Sequence, residues 1–346
     1  MGLVLGVSTF GGYMVFFITV LRALAATLIT NSHYTGVYPT DIIANGGLLG
    51  DILFFAVSGY CLFNIKLPFH KWYLKRISRI YIPVWIVTIV FAIMKITEYH
   101  LYRSNIFDIF VYPTNFHFIA SIVLLYIPFY IISKIQLLRN NIPWVMLFVA
   151  GLALIVYIFA IDKTQYIVDS VHLPFIRFLF MESMLLGAFF KQKEKQFKNV
   201  FKIRHLLMFV ALFVIYFSSK IVFSQYGTKY AFLNQIQILN QFVILGLLYF
   251  MFRMFMSIDE KMEKLPKIIK KIITFIADRT LEIYLVQIVI IEYLAPKFSF
   301  PVNWVVLTCA IIFAAFVLHM VCGWVYKLID IIENLFKKDK KIKTDI

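Results

Sequence analysis

Acidic residues are scarce in this chain: 18 aspartates and glutamates stand against 34 lysines and arginines in 346 residues, for a net charge of +16. Charged residues of either sign make up only 15% of it, too few to clothe a soluble domain of that size. The motifs of soluble enzymes are missing too. There is no P-loop, no GxSxG elbow, no HExxH and no paired CxxC, which removes P-loop phosphate chemistry, the serine-hydrolase elbow and the familiar zinc and dithiol sites. No metal is expected. Only three cysteines occur, Cys61, Cys309 and Cys322, each inside an apolar run, so they read as packing residues rather than a disulfide framework. Repeated halves with Gly or Pro breaks, which would favour a secondary transporter, are absent as well.

What fills the chain instead is apolar sequence, 62% hydrophobic with a mean hydropathy of +0.84, gathered in long runs. A run of about 20 apolar residues crosses a bilayer as a helix. The expected fold is therefore all-α and integral to the membrane: a polytopic bundle of about ten transmembrane helices forming one domain over 1–346. The runs fall at 12–32, 47–65, 79–97, 117–134, 143–161, 174–190, 205–223, 235–255, 273–294 and 302–326. The ninth carries three charges near its start, in ADRTLE. The first lacks a basic leader and is interrupted by Arg22, so it reads as a retained helix rather than a cleaved signal.

The basic residues orient these runs. Most lie in the connections at 66–79, 134–141, 191–204 and 253–271 and in the tail from Lys327, whereas the opposite connections hold only Lys95, Arg103, Lys163, Lys220, Lys229 and Lys297. By the positive-inside rule both termini are cytoplasmic, 327–346 is a basic cytoplasmic tail, and the protein is a multi-pass resident of the plasma or inner membrane. The charge of +16 is thus a topology signal, with membrane lipid as the neighbour and no nucleic-acid partner.

Against that background the ionisable residues near the spans stand out. Arg22 and His33 are eleven residues apart, at ~100° per residue three turns plus about 20°, so they share one helix face about 16 Å apart. A charge at membrane depth costs roughly 2.5–3.5 kcal/mol, so Arg22 faces protein or water. The plain structural reading is an ion pair with Glu182 or Glu282. Asp51 opens the next run, where a capping role competes with a functional one. His33, Asp51, His117 and Arg177 all fall toward the extracytoplasmic side. Arg177 and Glu182, five apart, do not share a face, and each needs a partner elsewhere. On the inner side Lys71, Lys75, Arg76 and Arg79 run into Tyr81, Ile82 and Pro83. Ordinary positive-inside charge accounts for such a cluster, yet Arg76 and Arg79 share a face suited to a phosphate-rich ligand. Ser58-Gly59 reads as a small-residue packing site rather than a nucleophile.

In this order the residues resemble the membrane acyltransferase-3 family, which includes O-acetyltransferases of surface polysaccharide, lipopolysaccharide and peptidoglycan. Four stretches carry the resemblance: Arg22 and His33 within LRALAATLITNSH; GDILFFAVSGY from Gly50 to Tyr60; RISRIYIP from Arg76 to Pro83; and TLEIYLVQ from Thr280 to Gln287. Two departures accompany it. The late histidine of the family is Gln287 here, and the Trp-Phe that often precedes the fourth helix is replaced by Phe116, His117 and Phe118.

The resemblance implies acyl transfer from cytoplasmic acyl-coenzyme A, usually acetyl-CoA as co-substrate, to a hydroxyl of an outward-facing or lipid-linked glycan. His33 would be the general base. Asp51 would orient its imidazole, and Arg22 would line the passage for the acyl-bearing arm. Arg76 and Arg79, with Lys75, would bind the coenzyme A phosphates. His117, Arg177, Glu182, Glu282, Tyr284 and Gln287 would line the substrate cavity. Direct transfer and an acyl-histidine intermediate both stay open. The competing class is a transporter or flippase of glycans or lipids; a membrane sensor or binding module is a third.

Overall fold

The computed structural model describes residues 15–96, 106–168, 172–227 and 229–344; side chains in the final helix are described to residue 335, residue 333 excepted. Expectations for 12–14, 97 and Arg103 lie outside the described residues. The chain begins with α1 (Phe16–Ser32), α2 (Gly47–Leu62), α3 (Phe69–Ile93), α4 (His117–Lys134), α5 (Gln136–Asn140) and α6 (Ile142–Ala160). Then follow α7 (Ile176–Gln192), α8 (Glu194–Phe197), α9 (Ile203–Tyr226), α10 (Ala231–Ile236) and α11 (Leu239–Ser257). The last elements are α12 (Asp259–Glu263), α13 (Lys267–Ala277), α14 (Thr280–Leu294) and α15 (Val302–Thr344). No strand occurs among the described residues.

Six of these helices, α3, α4, α6, α9, α11 and α15, are long and apolar enough to cross a membrane; α1 and α2 are shorter apolar helices. The apolar sheath that a bilayer would cover is plain on α6, where Trp144 is 70% and Phe159 83% exposed.

Several of the expected boundaries need correction: the eighth run, 235–255, is divided between α10 and α11, and the last helix runs past 326 to Thr344 through the expected tail. The third helix starts at Phe69, not 79, because Pro68 opens it and KWYLKRISR is rich in straight-chain residues that favour helix. Lys71, Lys75, Arg76 and Arg79 therefore sit on a helix rather than in a connection. The ninth run, 273–294, is two helices. Asp278 and Arg279 end α13 with backbone bonds to Thr274 and Ile276, and the Arg279 side chain folds over the Phe275 ring at 3.8 Å while donating to the Phe275 carbonyl at 2.9 Å. An arginine that satisfies a helix-terminal carbonyl stops the helix where it stands.

At the centre, α2 and α7 run the same way with their backbones in contact. A Cβ built at Gly187 would lie 1.8 Å from the Ala56 carbonyl oxygen, and one at Gly59 would lie 1.9 Å from that of Met184. Gly59 is a packing residue, as read from the sequence. The stacked rings of Phe55 and Phe180, 4.2 Å apart, extend the contact, and Lys191 lies over the Tyr60 ring beyond it. Packing against α2, α1 is anchored from outside its own sequence. The Phe17 amide donates to Asp259 Oδ1 at 2.7 Å, and Lys198 meets the other carboxylate oxygen at 3.2 Å. Asp259 thus supplies the cap that Val15, at the N-cap position, does not.

Candidate active site

One face of α1 forms a wall with Arg22 toward one end and His33, the residue just after its last turn, at the other. Between them Ala26 and Ile29 line a narrow crevice with room for little more than a water molecule, bordered by Phe54 of α2, Phe118 of α4, and Tyr284 and Gln287 of α14. Gln287 is fully buried. Its Oε1 accepts the Thr30 hydroxyl at 2.7 Å, while its Nε2 has no hydrogen-bond partner among the described residues. A buried amide with one end tied and the other unspent is an available donor.

At the His33 end three titratable groups converge from three helices. Asp51, 6% exposed, lies 3.9 Å from His117 Nε2 and acts electrostatically on His33. No side-chain bond caps α2, so the capping reading of Asp51 does not apply. Nor does a hydrogen bond join it to His33 among the described residues; the carboxylate is within electrostatic reach of both imidazoles. The ring of His117 meets that of Tyr284 edge-on at 6.5 Å. Burial draws the His33 pKa below its ordinary 6.5; Asp51 pulls it back up, and His117 pushes it down.

The other end is cationic. Arg22, partly buried and without a side-chain hydrogen bond among the described residues, lies within electrostatic reach of Cys61 and Asp278. Arg76 and Lys191 also reach Cys61. Arg79 neighbours Arg76, and Lys75 is exposed on the same helix. Neither Glu182 nor Glu282 is the partner of Arg22. Glu182 is buried against α6 near Ala150, with Oε1 unpartnered among the described residues. Glu282 holds His319 Nδ1 at 2.7 Å. Arg177 bonds Tyr112 and, at 3.5 Å, Ser121. Of the residues singled out in the sequence, Tyr284 and Gln287 line the cavity, and His33, Asp51 and His117 gather beside it, His117 against the Tyr284 ring. Arg22, Arg76 and Arg79 gather at its basic side, while Arg177, Glu182 and Glu282 are engaged elsewhere.

His319, Asp278 and Lys191 escaped the sequence reading. An imidazole in the apolar run of α15 was the legible signal for His319, since ionisable residues at membrane depth need partners. Lys191 looked like ordinary positive-inside charge. Only the α2–α7 contact brings it to Tyr60 and Cys61.

Among known families, the model named Acyl_transf_3 and described as an acyltransferase domain matches residues 15–324. No curated protein and no solved structure matches the chain.

Proposed function

Because the chain belongs to the Acyl_transf_3 family of acyltransferase domains, we propose that it carries an acetyl group from coenzyme A at its basic side to a hydroxyl of a surface or lipid-linked glycan at the His33 side. The observation that carries this reading is the α1 wall: cations at one end, a carboxylate acting on two imidazoles at the other, and a narrow cavity between them. The charge distribution along the chain supports about ten crossings with both termini cytoplasmic, which puts the donor inside the cell and the acceptor outside.

The chemistry follows from these positions. Arg22 and Arg76, with Arg79 beside them, neutralise the donor's phosphates and admit its acyl arm to the cavity. Neutral His33 takes the proton of the acceptor hydroxyl as that oxygen attacks the thioester carbonyl. Asp51 stabilises the imidazolium so formed. The negative oxygen of the tetrahedral intermediate needs a donor, and the unspent Nε2 of Gln287 supplies one; such donors are worth roughly 10²–10³ in rate. Collapse breaks the C–S bond, and the imidazolium returns its proton to the departing thiolate, leaving an O-acetyl ester and free coenzyme A. Tyr284 and His117 wall the acceptor.

The test is acetyl-CoA consumption and ester formation on surface glycan, read by mass spectrometry in membranes that hold the protein. Ester appearing with stoichiometric coenzyme A release is expected. Export of glycan without ester would make the chain a transporter.

The state of His33 adds a sign. Its working form is neutral, so kcat/KM climbs with pH through its pKa and levels off above it. The acid limb is expected to have its midpoint under 6.5. Asp51→Asn removes a carboxylate charge that raises that pKa, so the limb moves to still lower pH. A limb that stays put in Asp51→Asn would separate Asp51 from His33.

A further inference from the structure

Beyond the Lys191–Tyr60 contact, the ends of α2 and α7 open with α5 onto a shallow basic dish of about 580 Å³, lined by Phe63, Asn64, Gln136, Arg139, Lys191 and Lys193. Arg139 is preset there. Its Nη2 donates to Asn64 Oδ1 at 3.0 Å, its guanidinium lies 5.0 Å from the centre of the Phe63 ring, and its carbonyl accepts the Gln192 amide at 2.5 Å. Lys191 is paired with Glu194 at 2.6 Å, but no carboxylate pairs with Arg139 or Lys193 among the described residues. Solvated topology charge would need no such arrangement. An arginine whose guanidinium is held by an amide and a ring at the wall of an open hollow is suited to an anion of fixed shape.

The dish adjoins the cations of the cavity. Cys61, one helical turn before Asn64 and within reach of Lys191, is also within reach of Arg22 and Arg76. Positive charge therefore runs from the α1 wall across the end of α2 into the dish. Coenzyme A carries two anionic groups separated by a ribose: a diphosphate and a 3′-phosphate monoester. Two cation clusters, one at the α1 wall and one in the dish, match that division.

We propose that the dish seats the 3′-phosphate of the donor's adenosine, with Arg139 and Lys193 as its ligands, while Arg22 and Arg76 meet the diphosphate nearer the cavity. This rests on coenzyme A being the donor. A phosphate monoester bears about −1.5 to −2 charges and three acceptor oxygens, which suits one bidentate arginine and one lysine. The dish then fixes how deep the acyl arm enters, because it holds the far end of the molecule.

The experiment measures binding of coenzyme A and of 3′-dephospho-coenzyme A to the full chain in phosphatidylcholine nanodiscs. Wild type is expected to favour coenzyme A by roughly tenfold or more. The double variant Arg139→Ala with Lys193→Ala is expected to bind both equally, at the wild-type affinity for the dephospho compound, which also shows that it is folded. Equal wild-type affinities would overturn the proposal. If both compounds still bind and Arg76→Ala weakens both, the donor reading stands without it. A preference for coenzyme A that disappears once phosphatidate is added to the nanodisc assigns the dish to a lipid headgroup and overturns it as well. Absence of binding by either compound removes the donor reading and this proposal together.

Discussion

Replacing His33 with alanine is expected to cut acyl transfer by roughly 10²–10⁴-fold, the range that a positioned general base contributes. The protein should remain inserted and present at wild-type levels. His33 lies after the last turn of α1, is only partly buried, and its side chain makes no hydrogen bond among the described residues, so its loss leaves little packing undone. Binding should separate from turnover. Donor affinity is set at the cationic side, so coenzyme A should bind His33→Ala as it binds wild type while ester formation fails. Turnover within a fewfold of wild type would take the base away from His33 and turn attention to His117, the second imidazole facing Asp51.

The second large effect concerns the α2–α7 contact. Gly187→Val places its Cβ 1.8 Å from the Ala56 carbonyl oxygen and 2.8 Å from the Tyr60 nitrogen, both backbone atoms that cannot swing aside. The helices must separate. Overpacking a core costs roughly 1–3 kcal/mol, and a backbone-to-backbone clash belongs at or beyond the top of that range. Separation would also undo the Phe55–Phe180 stack and carry Lys191 away from Tyr60. The expected result is a collapse of monodisperse protein in detergent chromatography and a much lower unfolding temperature. Gly151 is the control. It lies on α6 with nothing within 4 Å of a built Cβ, and Gly151→Ala should be neutral or stabilising by up to about 1 kcal/mol, from helix propensity. A folded, stable Gly187→Val would mean that the two helices are not in backbone contact.

These two predictions depend on information that the chain discloses unevenly. Apolar runs of about the right length, bounded by charge and proline, are enough to find most of the long helices. A face shared by Arg22 and His33 follows from helical periodicity alone. Such readings are local. The reach of Asp51 to both His33 and His117 requires α1, α2 and α4 to meet, and no spacing within one helix encodes that. For the same reason Glu282 looked like a partner for Arg22, whereas it pairs with His319 on α15, and Asp278 is the carboxylate within reach of Arg22. Charge composition misled at two places. The basic run from Lys71 to Arg79 resembled a connection because lysine and arginine mark membrane edges, yet the same residues are good helix formers and α3 runs through them. In ADRTLE the interruption was visible, but its cause, a guanidinium turned back onto its own helix end, belongs to side-chain geometry. Gln287 in place of a histidine reads as a lost base in sequence. In the fold its tie to Thr30 leaves the opposite end of the amide unused inside the cavity.

The anchoring of α1 by Asp259 has an electrical side. Aligned peptide groups give a helix roughly half a positive charge at its start and half a negative charge at its end. In α1 the positive end is answered by a fully buried carboxylate that takes the Phe17 amide, itself balanced by Lys198. The negative end is turned toward His33, whose own amide bonds the Thr30 carbonyl in the last turn. A proton taken up by His33 therefore arrives at the end of a dipole that favours positive charge, by about 0.3–1 kcal/mol and up to about 2 where the site is partly buried. That bias persists in Asp51→Asn, and it works on the imidazolium that forms when an acceptor hydroxyl is deprotonated. The helix that spaces Arg22 from His33 thus also lowers the energy of the charge its far end must briefly hold.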